Sequence, residues 1–371
     1  MINTHHKTIR KIACMICVVS MTMVCSVSIG RATEDVYPGV TWDKRRPHEM
    51  GMSESGLKTF SDNVGGRGCV VRHGYMVYSW GEVGKRGDVA SAVKPWYSHF
   101  LFVALEQGKI KSLDEKVCAW EPRLNDLNRG LGYKDRQMTW RHLANQTSCY
   151  GVRETPGSAY DYNDWQMALF WDLLFKKVYG ATFADVDETV LHFQLTDILQ
   201  CQDNPTFLAF GPQDRPGRMK VSVRDFARFG LLYLRQGNWR GKQLIQPEHA
   251  VMAVASALPN SIPRSSSTAK GQEAEMISGQ RSIGSRRIPD NQTDHMGSYS
   301  WLWWTNGVDR DGKRHWPEVP HDTYGAFGHG GPRAMVVFPE LDMVMSWNDA
   351  RIKSRESEGH ALELLVDAVG P

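Results

Sequence analysis

Ser91 and Lys94 stand three residues apart, just ahead of the apolar run Phe100-Leu101-Phe102-Val103-Ala104-Leu105, where a helix would enter a core. Positions i and i+3 share one helix face, so a hydroxyl and an amine at this spacing can meet. The chemistry open to such a pair is nucleophilic catalysis, because a serine hydroxyl attacks well only beside a base. An amine is that base only where burial or neighbouring cations favour its neutral form. The bland reading is a serine cap followed by a solvated lysine. Ser55/Lys58 and Ser267/Lys270 repeat the S-x-x-K spacing, so the pair alone does not choose.

Three further stretches carry groups that the sharper reading needs. "WRHLANQTSCYG" (140–151) contains Gln146, and "PGSAYDYND" (156–164) is a turn that brings Tyr162, Asn163 and Asp164 to the head of a helix. "GHGGPRAMVVFPELDMV" (328–344) reads as a glycine-rich start to a strand, with His329, Gly330 and Gly331 in front. Tyr162 is a second candidate base, as a phenolate held by a nearby cation that relays the proton to the leaving group. Its alternative is a packed tyrosine whose hydroxyl finds any partner. The backbone N–H of Ser91, at a helix N-terminus, is placed to donate to a developing oxyanion, with a second donor expected from the glycine-rich strand. His329 either lines the site or merely turns the strand. Trp165, Trp301, Trp303, Trp304 and Trp316 either wall an apolar pocket or belong to the core.

The elements that must position these groups follow from pattern. A first helix is expected near residues 52–64, and two β-rich runs flank His73-Gly74 as a hairpin. From about residue 113 to 210 the pattern is mostly helical, including "DWQMALFWDLLFKKVYG". "SVRDFARFGLLYLRQG" is another helix, stopped by Gly237. Strand character returns at "SYSWLWWTNG" and "RAMVVFPELDMVMSW", and "SEGHALELLVDAVG" closes the chain as an amphipathic helix. Strands at both ends with helices between predict an α+β fold, an antiparallel sheet flanked by helices with an inserted, mostly helical lobe. The expected boundaries are a leader at 1–32, a sheet body at about 36–88 and 298–371, and a helical lobe at about 89–255. Residues 256–297, rich in Ser, Gly, Arg and Gln, read as a long surface insertion near the site.

Together these stretches resemble the serine hydrolases related to class C β-lactamases and penicillin-binding proteins, a family that also holds esterases, D-aminopeptidases and 6-aminohexanoate-dimer hydrolases. The resemblance spans about residues 36–369 and rests on Ser91-Ala92-Val93-Lys94, "RHLANQTS", Pro156-Gly157…Tyr162, "RDFARFGLLYL" and His329-Gly330-Gly331. It implies a β-lactamase/transpeptidase-like fold and an acyl-enzyme on Ser91, with Lys94 and Tyr162 as catalytic partners. Gly331, Gly330, His329, Asp164, Asn163 and Gln146 are the implied oxyanion and substrate-binding set. No cofactor is implied, and the partners expected are small esters, amides or peptides.

The chain departs from the family pattern in three places. The relatives' Tyr-x-Asn motif reads Tyr162-Asn163-Asp164 here. An Asp164 carboxylate in the site favours an ammonium at position 94, which shifts the expected base towards Tyr162. The Lys-Thr-Gly of penicillin-recognising enzymes is replaced by His329-Gly330-Gly331, followed by Pro332, which has no N–H to give. Gly331 is therefore the expected oxyanion donor, and the missing lysine argues for an esterase or amidase over a proficient β-lactamase. Cys149 stands where relatives often have glycine, as a half-cystine or a free thiol.

Composition bounds the alternatives. The 371 residues carry a net charge of only +3 without a like-charge block, which gives nucleic acid no footing as a partner. A basic start, an uncharged apolar run at 12–29 and the small-residue exit Gly30-Arg31-Ala32 predict export, periplasmic or secreted, by a cleaved signal; an uncleaved anchor would place the protein on a membrane. Cys69, Cys118, Cys149 and Cys201 remain after that leader, an even number that permits disulfides without fixing a pairing. His315, His321 and His329 fit no zinc spacing, and neither H-E-x-x-H nor the G-x-S-x-G elbow occurs. A catalytically impaired relative that binds cell-wall peptide or a partner protein is the competing function.

Overall fold

The computed structural model describes residues 35–209, 211, 217–266, 273–280 and 293–370. The leader, the Ser267/Lys270 pair and the middle of the 256–297 insertion lie outside the described residues.

His73 and Gly74 both adopt positive φ, 51° and 80°, the backbone that a two-residue hairpin requires. They join β1 (Arg67–Arg72) to β2 (Tyr75–Trp80). Two small ribbons follow, β3 (Gly87–Asp88) with β4 (Lys220–Val221), and β5 (Asn238–Trp239) with β6 (Lys242–Gln243). The last strands are β7 (Tyr299–Ser300), β8 (Trp303–Thr305), β9 (Tyr324–Gly328), β10 (Arg333–Phe338) and β11 (Met343–Asn348). Seven strands make one antiparallel sheet in the order β2-β1-β11-β10-β9-β8-β7. The two ends of the chain meet at β1–β11, in register from Arg67↔Asn348 to Arg72↔Met343. This is the predicted α+β sheet.

Alternation along the central strands explains the layers. Val336 and Phe338 of β10, with Met343, Met345 and Trp347 of β11, face one core. Met335, Val337 and Val344 face the other. Period-two side chains buried on both sides demand a helical cover on each face. On the first face lie α1 (Glu54–Val64) and the terminal α7 (Arg355–Asp367), through Leu57, Phe60, Leu362 and Leu365. The second face receives α5 (Val223–Leu234), capped by the Ser222 hydroxyl. Gly230 permits that approach, because a Cβ there would lie 2.6 Å from Val344 Cγ1 and 2.7 Å from Met335 Sδ. Behind α5 runs α2 (Lys94–Glu106), whose Trp96 stacks on Phe229 at 4.2 Å. The helical region also holds α3 (Trp140–Ala144), α4 (Asp164–Trp171) and α6 (Pro247–Ala255).

Two expectations change. Residues 328–331 do not start a strand: β9 ends at Gly328, and His329, Gly330 and Gly331 (φ 53°, 72° and 116°) form the turn into β10. The Gly-rich sequence of β9, Tyr-Gly-Ala-Phe-Gly, carries too little β-branched signal to be seen in advance. "SYSWLWWTNG" is a hairpin of two short strands, reversed at Trp301 and Leu302, which both have positive φ. All four cysteines of the described region are free thiols. Among the described residues no helix is long and apolar enough to cross a membrane.

Candidate active site

The site begins with a strained approach to α2. Ala90 has φ 50°, a left-handed backbone that costs a residue with a Cβ about 1 kcal/mol or more. Its N–H donates to Asp88 Oδ1 at 2.8 Å, and Arg218 grips the same carboxylate through Nε (3.1 Å) and Nη2. The chain reverses there, so Ser91 lies in the short turn Ala90–Val93 that leads into α2. From the sheet side, Gly328 at the end of β9 presses on this turn. A Cβ at Gly328 would lie 2.2 Å from the Val89 carbonyl oxygen, so only glycine lets strand and turn close up.

Lys94, the first residue of α2, is 5% exposed, and its Nζ donates to Ser91 Oγ at 2.8 Å. A solvated lysine beside a serine cap would not be sealed in this way. Nζ also lies 3.8 Å from Asp164 Oδ1 and 4.7 Å from the centre of the Tyr162 ring. Tyr162 and Asp164 are brought here by the start of α4, where Asn163 Oδ1 caps the helix by accepting from Gln166 N at 2.9 Å. The Tyr162 ring is held edge-on to Tyr299 and tilted against Trp304.

Ser91 opens on a cavity of about 430 Å³ that Tyr162, His329 and Gly330 line beside it, with Trp304 and Phe327 as apolar walls. A smaller space of about 90 Å³ on the other side of Ser91 is bordered by Lys94, Asp164, Arg218 and His329. His329 Nδ1 lies 2.6 Å from Arg333 Nη1, and Arg333 Nε donates to the Asp88 carbonyl at 2.8 Å. Burial first, then the cations of Arg333 and Arg218, lower the His329 pKa against the opposing pull of Asp88 and Asp164.

The structure thus gathers Ser91, Lys94, Tyr162, Asp164, His329 and Gly330, and leaves three expected residues aside. Asn163 is spent on the α4 cap and on Asp161, to which its Nδ2 donates. Gln146 is fully buried with φ 57°, its Nε2 donating to Tyr299 Oη at 3.5 Å, and it does not line either space. Gly331 gives its N–H to the Gly328 carbonyl at 3.2 Å, closing the turn, while its own carbonyl accepts from Trp347 Nε1. The residue chosen to replace the missing N–H of Pro332 is therefore occupied elsewhere, because a left-handed turn of this kind uses that amide to close itself. Of the five tryptophans, Trp304 walls the cavity, Trp301, Trp303 and Trp316 are core, and Trp165 is half-buried against it. His321 is exposed, and among the described residues no three His, Cys, Asp or Glu side chains gather as a metal site.

The cavity is also lined by Arg355 and Glu358, which the sequence reading did not single out, and by His315, which it weighed only as a zinc ligand. Burial pushes the Glu358 carboxyl up to about 7, although Trp316 Nε1 donates to it and Arg355 lies near. Burial and Arg355 push His315 down to about 3. A signal was available for Glu358, which shares its helix stripe with Ala361, Leu362 and Leu365, where a carboxylate is out of place.

No protein-family model matches the chain, and no curated protein matches it. Solved structures do. A β-lactamase from Mycobacterium bovis superposes with TM-score 0.54 at 16% identity over 85% of this chain and 97% of that one. EstCE1, a hydrolase with promiscuous acyltransferase activity, gives 0.56 at 14% over 85% and 98%. A penicillin-binding protein homologue from Caulobacter crescentus gives 0.53 at 13% over 85% and 96%. The chain has the β-lactamase/penicillin-binding-protein fold. In this chain Ser91, Lys94 and Tyr162 lie between the end of β9, an inner strand of the sheet, and the heads of α2 and α4.

Proposed function

We propose that the protein is an exported serine hydrolase that cleaves ester or amide bonds through an acyl-enzyme on Ser91. The observation that carries the reading is the 2.8 Å bond from buried Lys94 Nζ to Ser91 Oγ at the mouth of a cavity that Tyr162 and His329 share. In the acylation step Ser91 Oγ attacks the substrate carbonyl carbon, and its proton passes to the Tyr162 phenolate. The bond to the leaving group then breaks, and the phenol returns the proton to the departing oxygen or nitrogen. Water enters in the second half and releases the acid by the same route in reverse. Lys94, with Asp164 3.8 Å away, acts as the cation that orients Ser91 beside the Tyr162 ring. Export is supported by the basic and apolar character of the first 32 residues.

An ester or simple amide is favoured over a β-lactam. His329-Gly330-Gly331 stands in place of the Lys-Thr-Gly of penicillin-recognising enzymes, so the fixed ammonium for a substrate carboxylate is absent at that position. Labelling purified protein with a fluorophosphonate, with Ser91→Ala beside it, tests the nucleophile. Short-chain nitrophenyl esters, D-amino-acid amides and a chromogenic cephalosporin then sort the substrate class. An unlabelled native protein that hydrolyses none of these would leave the cell-wall-peptide-binding alternative.

A further inference from the structure

Two amides of the turn between β9 and β10 are not available to a substrate. Pro332 has no N–H, and the Gly331 N–H closes the turn on Gly328. Something else must face the oxygen of a carbonyl seated on Ser91, since one backbone donor alone makes a weak oxyanion site. His329 borders both spaces that open beside Ser91. Its Nδ1 meets Arg333 Nη1 at 2.6 Å. A guanidinium has only donors, so Nδ1 is the acceptor in that bond and carries no proton. A neutral imidazole with an unprotonated Nδ1 has its single N–H at Nε2, on the other side of the ring from Arg333.

We infer that Arg333 locks His329 in the Nε2–H tautomer, and that this side-chain N–H is the donor which the β9–β10 turn offers to the substrate oxygen. The inference rests on the serine-hydrolase reading for its second half, while the tautomer itself stands apart from activity. His329 is then a catalytic residue and Arg333 a positioning residue. Arg333 is fixed in turn by Nε donating to the Asp88 carbonyl, and Asp88 is the residue whose carboxylate ties down Ala90 and Arg218. One cluster thus sets both the backbone of the nucleophile and the proton position on the ring opposite. The charged groups facing His329 are Arg333 from β10, Asp88 from β3, Arg218 from the segment before β4, and Lys94 and Asp164 at the heads of α2 and α4. Burial and the two arginines lower the His329 pKa, the direction that agrees with an Nδ1 lone pair accepting from Arg333.

Long-range proton–nitrogen NMR on the full chain reads the tautomer directly. The expected result is a neutral His329 with its proton on Nε2 at pH 7, and in Arg333→Gln a ring that exchanges between tautomers or protonates near an ordinary histidine pKa. An Nδ1–H ring or an imidazolium in the native protein overturns the lock. Kinetics on a nitrophenyl ester test the donor. His329→Ala is expected to lower kcat by about 10²-fold with KM nearly unchanged, the scale of losing one oxyanion donor. His329→Gln, which keeps an N–H, recovers part of that loss. Arg333→Gln adds an acidic limb to the kcat/KM profile that Arg333→Lys does not. Fluorophosphonate labelling of each variant separates a lost donor from a lost fold. Native-like kcat in a labelled His329→Ala overturns the donor role even if the tautomer is as stated. If the native protein is neither labelled nor active, the hydrolase reading fails while the NMR result still decides the lock.

Discussion

Ser55/Lys58 and Ser91/Lys94 share one spacing and meet opposite fates. In α1, Ser55 Oγ lies 3.0 Å from Ser53 Oγ, and Lys58 reaches Asp62 at 2.6 Å, with both members of that ion pair about two-thirds exposed. In α2 the lysine is buried, its amine is 2.8 Å from the serine oxygen, and the Tyr162 ring just before α4 and the Asp164 carboxylate at its start close over it. Local geometry allows either pair to act. What separates them is that only the second is covered by another element, which removes water as the partner of the amine and leaves the hydroxyl.

The comparison breaks first at the nucleophile. Ser91→Ala is expected to abolish turnover and labelling, a loss of about 10⁴-fold or more, while Ser55→Ala stays within twofold. Ester hydrolysis retained in Ser91→Ala would end the reading. Next, Lys94→Met is expected to lower kcat by about 10²- to 10³-fold, the scale of a lost electrostatic stabiliser, because it removes the cation that orients Ser91. Lys58→Met should change neither kcat nor stability noticeably, since exposed pairs contribute about 0–1 kcal/mol. Tyr162→Phe probes the covering element, with an expected loss of about 10²-fold in kcat through the missing phenolate. Asp164→Asn is a gentler probe of the same wall. It removes the anion 3.8 Å from Nζ, so the pH–rate profile should move, and an unchanged profile argues against Tyr162 as the base.

The smallest effect sharpens the contrast between a cap that is seen and a carboxyl that is hidden. Asp161 lies under the head of α4, receives the Asn163 amide, and has Oδ1 buried without a partner. Burial raises its pKa to about 7. Between the unfolded carboxyl range near pH ~4 and pH 7, the folded state holds this proton and the unfolded state does not. Stability from this group is therefore full below that range and is lost as pH rises to about 7. Asp161→Asn, which mimics the protonated form, should raise Tm at pH 8 and change it little at pH 4. An equal gain at both values would contradict the assignment.

Much of the frame was legible. The hairpin at His73-Gly74, the helix after Ser222 and the terminal helix follow from turn chemistry and apolar spacing, and all are present. Tyr162 and Asp164 were visible because a capped helix start keeps its neighbours in fixed order. Gln146 and Asn163 were misplaced for one reason: a polar residue in a motif can face inward to hold the backbone as readily as outward to substrate. Glu358 and Arg355 were missed, and His315 was weighed only as a zinc ligand, because elements far apart in sequence bring them to one cavity.

Residue order by itself determined most of the helices and the first hairpin, though not β9, since periodicity, caps and turn residues act over a few positions. It determined too which side chains are able to do chemistry. Tertiary structure alone decided which serine–lysine pair is dry, which glycine amide is spent, and where the histidine proton sits. Lys94 is covered by groups of another element, and the Asp88 carbonyl holds Arg333 beside His329 across 245 residues of chain, meetings that no local pattern encodes.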